Sequence, residues 1–473
     1  MREAGLVVVG ASLAGLRAVE AARASGYAGP VTLIGAEPHP PYDRPPLSKA
    51  FLQGGEGDEY GDGDAPAVPT LADASALAAL GVDVRLGEPA TGLCLEAREV
   101  VAGGRAVPFD SLVVATGCTP VTLSDIGVAL DDAGGPVDAG GAGGPDDTAG
   151  PVGGAGGIGG IGGIGGIGGI GHVPAAGHVP AVGPVGARGT ARMDGVHTLR
   201  TVEDARAVRR HVLAGARTVL IGGGFVGAEV ATALRARGAA VTIVEAADVP
   251  LVRAAGPVVA PLLADLHARA GVDLRLGVSV RRVSRGPDGK RVVLSDGSVL
   301  DADLVLAGVG ARPATGWLAD SGLPVGDGVL CDETLRAAPG VHAAGDVARW
   351  HNPLFGTAMR LENRTAAADL GTAAGRNAVG PAAAVPAVPY FWSDWYGSPI
   401  RMAGVAAADE VRITGAPESG SWTALYRSGD RVAGALTVGL SRQVMKYRAM
   451  IARRAPWETA CAFAGAARTA RHL

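Results

Sequence analysis

Residues 6–37 indicate a strand, a glycine-rich turn, a helix and a second strand in succession. An apolar run leads into Gly10-x-Ser12-x-x-Gly15, and an alanine-rich stretch and a second apolar run follow, with Glu37 just beyond. Small residues let the backbone of such a turn approach a pyrophosphate, and the helix that starts there points free N–H groups at it. An acid at the end of the second strand can accept hydrogen bonds from a ribose. The pattern therefore predicts that this segment forms a parallel βαβ unit.

The same pattern occurs again within residues 218–245. It contains Gly222-x-Gly224-x-x-Gly227 and ends on Glu245. One glycine-rich loop is compatible with any doubly wound nucleotide domain, whereas two complete copies, each with its own acid, predict two dinucleotide sites. The predicted fold class is α/β, with two doubly wound, Rossmann-like domains. An acid at the strand end favours a free 2′-hydroxyl over a 2′-phosphate, so Glu245 predicts NADH rather than NADPH.

Length, charge and cysteine content exclude several other classes of protein. A chain of 473 residues allows about three domains of roughly 150 residues each. The net charge of −4 suggests neither nucleic acid nor a membrane surface as the partner. No basic leader and no apolar run of membrane-spanning length is present, so we expect a cytoplasmic protein. Four widely spaced cysteines without a C-x-x-C motif are expected to be buried apolar residues in a reducing compartment, and no metal site is predicted: Cys94, Cys118, Cys331 and Cys461.

Residues 124–194 have the least protein-like composition. They include five consecutive Gly-Gly-Ile triplets at 156–170, followed by His172 and His178 in two His-Val-Pro-Ala repeats. Glycine at this density loses the most entropy on ordering, and isolated isoleucines bury too little surface to offset that cost. We therefore expect a disordered insertion, with a tether or a self-associating tract as the alternative, and we expect both histidines to be bystanders rather than ligands.

Several segments outside the two loops are also expected to lie near a cofactor. A proline-rich stretch at 39–49 can present Arg44 and Lys49 from a stiff loop. The strand within 109–117 ends in small residues, where backbone can approach a cofactor, and a later strand delivers Asp346 beside a glycine.

Secondary structure is expected as follows between and after the loops. Thr201 is predicted to cap a helix that reaches about residue 213, and a further helix is predicted around 257–270. Three strands are predicted within 273–300, after which residues 303–310 would return the chain to the first domain.

Eight motifs in this order carry a family resemblance: GASLAG, YDRPPLSK, ATG, LRTVEDA, GGGFVGAE, GVGARP, AAGDVA and FWSDWYG. The chain resembles the flavin-dependent NADH:ferredoxin reductases that serve bacterial haem monooxygenases and ring-hydroxylating oxygenases. The resemblance implies an FAD-binding domain built from residues 1–123 and 302–384, with an NADH-binding domain of 195–301 inserted in it. It also implies a C-terminal α+β domain of residues 385–473.

The resemblance also implies which residues hold the two cofactors, FAD and NADH. Lys49 would lie beside the flavin ring and pair with Glu229, and these two are the implied catalytic residues. A lysine there would favour the anionic reduced ring. Implied cofactor-binding residues are Gly10, Ser12, Ala14, Gly15, Glu37, Arg44, Lys49, Ala90, Thr116, Gly117, Arg200, Gly222, Gly224, Gly227, Glu229, Glu245, Arg253, Gly310, Asp346, Glu362, Arg364 and Trp392.

Four positions depart from the family pattern. The family usually has a tryptophan where this chain has Arg364 and a glutamine where it has Leu370. It often has glutamine at the position of Trp395, and the basic residue expected four after the NADH acid is Val249, which leaves Arg253 as the nearby cation. These departures affect the expected nicotinamide and adenine contacts, and the two-dinucleotide plan is unaffected.

The expected reaction follows from the resemblance and from a missing thiol. Relatives that reduce disulfides or peroxides carry a cysteine near the segment that here is residues 44–49, and this segment has none. Electrons would therefore leave the flavin for an external acceptor, a 2Fe–2S ferredoxin, from a monomer or weak homodimer. Two alternatives remain open: an NADH oxidase or diaphorase that uses oxygen or quinones, and an NADH-sensing flavoprotein that acts by binding a partner.

A basic C-terminal region is the expected docking face for an acidic ferredoxin. Residues 386–473 contain eleven Lys or Arg against six Asp or Glu. The stretch 442–454 is predicted to be an amphipathic helix with Val444, Tyr447 and Ile451 on its apolar side. The alternative is that its charges form an ordinary solvated face.

Overall fold

The computed structural model describes residues 4–54, 69–131 and 193–469. The first two ranges contain three α-helices and nine strands. In chain order these are β1 Leu6–Val9, α1 Leu13–Ala24, β2 Val31–Gly35, α2 Ala50–Gln53, α3 Ala74–Ala79, β3 Asp83–Leu86, β4 Ala90–Cys94, β5 Glu99–Ala102, β6 Arg105–Pro108, β7 Ser111–Val114, β8 Cys118–Pro120 and β9 Ala129–Asp131.

The third range contains the other described elements. These are β10 Val196–His197, α4 Val202–Arg209, β11 Arg217–Ile221, α5 Phe225–Ala236, β12 Ala240–Glu245, α6 Val252–Arg269, β13 Asp273–Leu276, β14 Val280–Gly286, β15 Gly289–Leu294, β16 Val299–Ala302, β17 Leu304–Ala307, β18 Ala311–Pro313, β19 Val325–Gly326, β20 Gly328–Cys331, β21 Arg336–Ala338, β22 Val341–Ala343, β23 Ala348–Asn352, β24 Thr357–Met359, α7 Arg364–Val379, β25 Tyr390–Trp395, β26 Ser398–Gly404, β27 Glu410–Ala416, β28 Ser421–Ser428, β29 Arg431–Val438, α8 Val444–Ala452 and α9 Trp457–Thr469.

The first nucleotide-binding pattern forms the centre of a six-stranded sheet with the order β21-β22-β7-β1-β2-β3. Strands β1, β2, β3, β7 and β22 run parallel. All four residues of β1 are buried, as expected for a parallel strand with both faces covered. Helices α1 and α7 pack closely, because Gly371 and Gly375 face the backbone of α1: a Cβ added to them would lie 2.3 Å from the Ala14 oxygen and 2.1 Å from the Ala18 oxygen.

The second pattern forms a five-stranded parallel sheet with the order β10-β17-β11-β12-β13. The prediction that residues 303–310 return the chain to the first domain is wrong for β17, which pairs with β10 and β11. Its apolar sequence alone did not show which of two parallel sheets it completes. The chain crosses back through β18, which pairs with β8 in antiparallel fashion.

The remaining expectations for this region hold in part. Thr201 caps α4 through a capping box with Asp204, as predicted, but α4 ends at Arg209 rather than near residue 213. The helix predicted around 257–270 is the part of α6 that follows a break at Gly256, where φ is +77°. Four strands, β13 to β16, begin within the stretch for which three were predicted.

The glycine-rich stretch was predicted to begin at residue 124, but its first residues are ordered. Strand β9 pairs in parallel with β14 in a four-stranded sheet, and Val128 is buried in the core beneath it. The prediction of disorder is therefore wrong for residues 124–131, and also for 193–194, because Met193 is buried in the same core cluster. For residues 132–192 it lies outside the described part of the chain.

The C-terminal part is a five-stranded antiparallel sheet, β25-β26-β29-β28-β27, with α8 and α9 against it. Val444, Tyr447 and Ile451 of α8 are buried in the same core cluster as Leu425 and Ala435 of the sheet. The predicted amphipathic helix and its apolar side are confirmed.

Candidate functional site

A cavity of about 710 Å³ opens at the carboxyl ends of β1 and β2, where ligands bind in open parallel sheets. Its size is typical of small-molecule sites, roughly 300–1,000 Å³. Most of the predicted cofactor-binding residues line it: Gly10, Ser12, Ala14, Glu37, Arg44, Lys49, Ala90, Thr116, Gly117, Arg200, Glu229, Asp346, Glu362, Arg364 and Trp392.

In the first loop, the backbone comes as close to neighbouring backbone atoms as its glycines predict. Gly10 has φ +117°, and a Cβ there would lie 2.1 Å from the Ala115 oxygen. A Cβ on Gly15 would lie 1.9 Å from the Gly10 oxygen, so Gly15 lets α1 pack against the loop. Ser12 precedes α1 without a side-chain cap, and the first N–H groups of α1 are thus available to an anion in the cavity.

Glu37 lies beyond the end of β2 and is held by two neighbours. Its carboxylate accepts a hydrogen bond from the Tyr42 hydroxyl at 2.6 Å and forms an ion pair with Arg44. Arg44 also donates to the Arg200 carbonyl at 2.8 Å. A carboxylate has about four acceptor positions, so Glu37 retains capacity for a ribose.

The second loop repeats this construction. Gly222 has φ +101°, and a Cβ there would lie only 2.5 Å from the Gly308 oxygen, while Gly227 approaches the Gly222 oxygen equally closely. The Glu245 carboxylate accepts from the Gly223 N–H at 2.8 Å and the Ala247 N–H at 2.9 Å. The acid is thereby fixed at the edge of the loop.

Helix α5 connects this second loop to the cavity. The loop itself does not line the cavity, but Phe225, Val226 and Glu229 of α5 do. The two nucleotide-binding patterns therefore meet at one wall.

Seven predicted residues do not line the cavity. Gly15 packs behind the first loop, and Gly222, Gly227 and Glu245 form the second loop and its edge. Gly224 is the residue that directly precedes helix α5. Gly310, with φ +120°, accepts a hydrogen bond from the Val121 N–H at 2.9 Å next to the β8–β18 pair. Arg253 is exposed in the first turn of α6.

Glu229 is the centre of a hydrogen-bonded cluster in that wall. Its carboxylate, 7% exposed, receives Lys49 Nζ at 2.5 Å, Ser48 Oγ at 2.5 Å and Ser393 Oγ at 2.5 Å. The predicted pairing of Lys49 with Glu229 is thus present in the structure. Ser48 and Ser393 were not predicted, although Ser48 adjoins Lys49 and Ser393 adjoins Trp392 in the quoted motifs.

Trp395, at a position where the family often has glutamine, holds Ser393 of this cluster in place. Its indole Nε1 donates to Ser393 Oγ at 2.8 Å. The side chain is fully buried and packs against Phe225 and His267, with ring centroids 5.6 and 5.3 Å apart. Burial lowers the pKa of His267 to about 4, so this imidazole is neutral at pH 7. The tryptophan therefore couples the C-terminal sheet to α5 and α6.

A second polar cluster surrounds Asp346. Arg200 Nη2 lies 3.1 Å from its carboxylate, and the Cys118 thiol donates to the same oxygen at 3.3 Å. Cys118 lines the cavity, so the chain does bring a thiol near the site, from a segment other than 44–49. Burial, and then the charge of Asp346, raises the pKa of Cys118. The thiol is therefore protonated and unsuited to nucleophilic relay.

The other cysteines follow the expectation of burial only in part. Cys118 is buried, Cys331 and Cys461 are half-buried, and Cys94 is exposed, because it ends a strand on the outer sheet formed by β4, β5 and β6. All four are free thiols.

Two charged pairs complete the cavity wall. Glu362 is nearly buried and forms an ion pair with Arg360; burial raises the pKa of Glu362 although Arg360 opposes the shift. Arg364, at the family's tryptophan position, donates to Asp43 at 2.6 Å. The family's glutamine position is fully buried Leu370 in α7, a core residue in this chain.

Together these features define a two-dinucleotide α/β oxidoreductase. The donor set fits a flavin dinucleotide: helix N–H groups face the cavity at one loop, an acid stands at the adjacent strand end, and cations lie between them. The chain belongs to the pyridine nucleotide-disulphide oxidoreductase family, which residues 4–142 and 173–371 match. Residues 390–469 match the reductase C-terminal family.

Similar characterised relatives include two bacterial reductases. The ferredoxin–NAD(+) reductase component of the anthranilate 1,2-dioxygenase system of Burkholderia cepacia is 30% identical, over 94% of this chain and 93% of its own. Putidaredoxin reductase CamA of Pseudomonas putida is 29% identical, over 96% and 93%. The predicted family resemblance is confirmed.

Solved structures agree with this assignment. The covalent putidaredoxin reductase–putidaredoxin complex is similar with a TM-score of 0.76 and 28% identity, over 96% of this chain and 94% of that one. The predicted fold class is confirmed. A water-forming NADH oxidase from Lactobacillus brevis, at 18% identity and a TM-score of 0.72, shares the fold. In the described ranges, no helix is long and apolar enough to cross a membrane.

Proposed function

We propose that this protein is an FAD-dependent enzyme that takes hydride from NADH and passes electrons singly to a ferredoxin that supplies an oxygenase. The observation that carries the proposal is the shared cavity wall, where the first loop and helix α5 of the second loop meet around Lys49 and Glu229. Two dinucleotides bound at these loops would bring their reactive rings to this wall. The name of the similar Burkholderia cepacia protein, a ferredoxin–NAD(+) reductase component of a dioxygenase system, supports the same acceptor.

The chain's own residues have separable roles in this proposal. Bound FAD supplies hydride acceptance and single-electron release. Gly10 to Ala14 would hold its pyrophosphate, Glu37 its ribose, and Arg200 with Asp346 the stretch toward the flavin. Lys49, oriented by Glu229, would place a positive charge at the ring, and that charge favours the reduced anionic form.

The nicotinamide cofactor would be bound by the second loop. Glu245, fixed by two backbone N–H groups, would accept the adenosine 2′-hydroxyl of NADH, and Glu362 would contact the carboxamide. The sheet of β1 would then be the FAD-binding domain, the sheet of β11 the NADH-binding domain, and the sheet of β25 the C-terminal domain.

We further propose a 2Fe–2S ferredoxin as partner and a monomer or weak homodimer as the working form. The docking face would include α8 and its flanking residues, because Lys446 on the helix and Arg442 and Arg453 beside it are exposed. Part of the basic surplus is neutralised within the fold, because Arg401 pairs with Asp394 and Arg448 with Asp369. The exposed cations on and beside α8 thus remain the strongest candidates for an acidic partner.

Anaerobic reduction tests this function. The purified protein should be yellow, and NADH should bleach it far better than NADPH. A protein that takes up no FAD would refute the proposal. Fast turnover with oxygen alone would favour an NADH oxidase instead, and slow hydride transfer with a long-lived reduced complex would favour an NADH-sensing flavoprotein.

A further inference from the structure

Two histidines and an aspartate meet on the NADH-side sheet, away from the cavity. Asp194 lies in the turn before β10, His197 ends β10, and His211 follows α4. One potential ligand atom from each residue lies within 4.8 Å of the other two. Asp194 Oδ1 and His211 Nε2 are 3.7 Å apart, and the two imidazole rings are 5.1 Å apart between centroids.

The ring nitrogens of His211 and His197 have surroundings that suit metal binding. His211 Nδ1 lies 3.0 Å from the Ala207 carbonyl, so an Nδ1–H donates there and Nε2 faces Asp194. Metal-bound histidines commonly use their second nitrogen in this way. His197 Nε2 is buried and has no hydrogen-bond partner within the described ranges. A buried ring nitrogen without a partner is costly unless something binds it.

Rigid neighbours hold all three groups. Gly195 allows the turn between Asp194 and Val196, since it has φ +74° and a Cβ there would lie 1.9 Å from Lys290 Nζ. The Gly195 carbonyl accepts from the Val305 N–H at 2.8 Å. Buried Val208 and Val212 flank His211 on either side. The cluster is therefore built on anchored backbone.

We propose that Asp194, His197 and His211 bind one divalent transition-metal ion of the Zn²⁺ class. Imidazole suits Zn²⁺, Ni²⁺ and Cu²⁺ better than Mg²⁺ or Ca²⁺. With Zn–N bonds of about 2.0–2.1 Å, tetrahedral ligand atoms lie about 3.4 Å apart. The three ligand atoms therefore need only a small movement to reach one metal ion. The Asp194 side chain, which is 78% exposed, can make that movement. Water would complete the coordination.

The bound ion would join the two ends of the β10–α4 unit. The loop between these elements carries Arg200, which pairs with Asp346 in the cavity. Metal binding would stabilise this unit without taking part in electron transfer. The sequence did not predict it, because the ligands are dispersed and outside recognised zinc spacings.

Equilibrium dialysis of the FAD-loaded full chain, after chelator treatment, tests the site with Zn²⁺. We expect one ion per chain and a thermal midpoint that rises with Zn²⁺ concentration. Co²⁺ should give absorption beyond the flavin bands, which reports the ligand environment directly. His211→Gln and the exposed Asp194→Asn should each weaken binding at least tenfold, with FAD content confirming that both variants fold.

Two controls make the result specific. His351→Gln, at an exposed histidine of β23, should leave binding unchanged. The double variant His172→Gln with His178→Gln removes the nearest other histidines in the sequence and should also bind normally. Absence of stoichiometric Zn²⁺ binding, wild-type affinity in both ligand variants, or loss of binding in the double variant would each overturn the proposal.

Discussion

Replacing Glu229 by glutamine removes one charge from the centre of the cavity wall while keeping the shape of the side chain. The carboxylate accepts from Lys49, Ser48 and Ser393, each at 2.5 Å. Glutamine has one carbonyl oxygen, so its NH₂ group must face at least one of these donors. The variant also leaves Lys49 without its counter-charge.

The structure sets the size of the expected effect. Breaking a buried ion pair by removing one partner costs about 3–5 kcal/mol. The Lys49 side chain is 22% exposed, so water offsets part of this, and we expect a loss of about 2–4 kcal/mol. For a chain of this length, whose unfolding entropy is about 1 kcal/mol/K, the thermal midpoint of the FAD-loaded protein should fall by roughly 2–4 °C.

A matched substitution controls for the loss of a carboxylate as such. Glu20→Gln breaks an exposed ion pair with Arg17, at 2.6 Å with side chains 41% and 35% exposed, and should cost less than about 1 kcal/mol. Anaerobic stopped-flow mixing with NADH should show at least a tenfold slower flavin reduction for Glu229→Gln alone. Equal stability and equal reduction rates in the two variants would refute the assigned role of the cluster.

Three further predictions concern specificity, docking and pH. Glu245→Ala combined with Ala246→Arg should shift the ratio of NADH to NADPH efficiency toward NADPH by tenfold or more, about 1.4 kcal/mol; an unchanged ratio removes Glu245 from its role. Charge reversal of the exposed cations on and beside α8, at 442, 446 and 453, should slow ferredoxin reduction at low salt and leave flavin reduction by NADH unchanged; wild-type rates and salt dependence would place docking elsewhere. Burial lowers the pKa of His267 and of His342 to about 4. Between pH 6.5 and 4 the unfolded chain therefore binds more protons than the folded one, and the free energy of unfolding should fall as the pH decreases through this window. In the His267→Gln variant this fall should be shallower.

The sequence predicted the parts of this molecule that local chemistry determines. Glycine loops need close backbone contacts wherever they occur, so Gly10, Gly15, Gly222 and Gly227 were placed from their spacing alone, and so was the cap at Thr201. The motif series carried the Lys49–Glu229 pairing, which joins residues far apart in the chain.

Long-range choices between equivalent partners could not be predicted. Strand β17 is apolar and fits either parallel sheet, and only the folded chain shows that it completes the second. Strand β9 looks like the start of a glycine-rich stretch until its pairing with β14 is seen. Cys118 reaches the cavity from the start of β8 and donates to Asp346, whereas a thiol was sought in residues 44–49.

Electron stoichiometry in the presence of a 2Fe–2S ferredoxin is the most direct test of the proposed reaction. Under anaerobic conditions, with catalytic enzyme and excess oxidised ferredoxin, the ferredoxin spectrum is followed while NADH is added in small portions. Oxidation of one NADH to NAD⁺ releases two electrons. We therefore predict two reduced ferredoxins per NADH, with the enzyme returned to its oxidised state. Ferredoxin left oxidised and NADH left unconsumed under these conditions, with NADH consumed only after oxygen is admitted, would contradict the account.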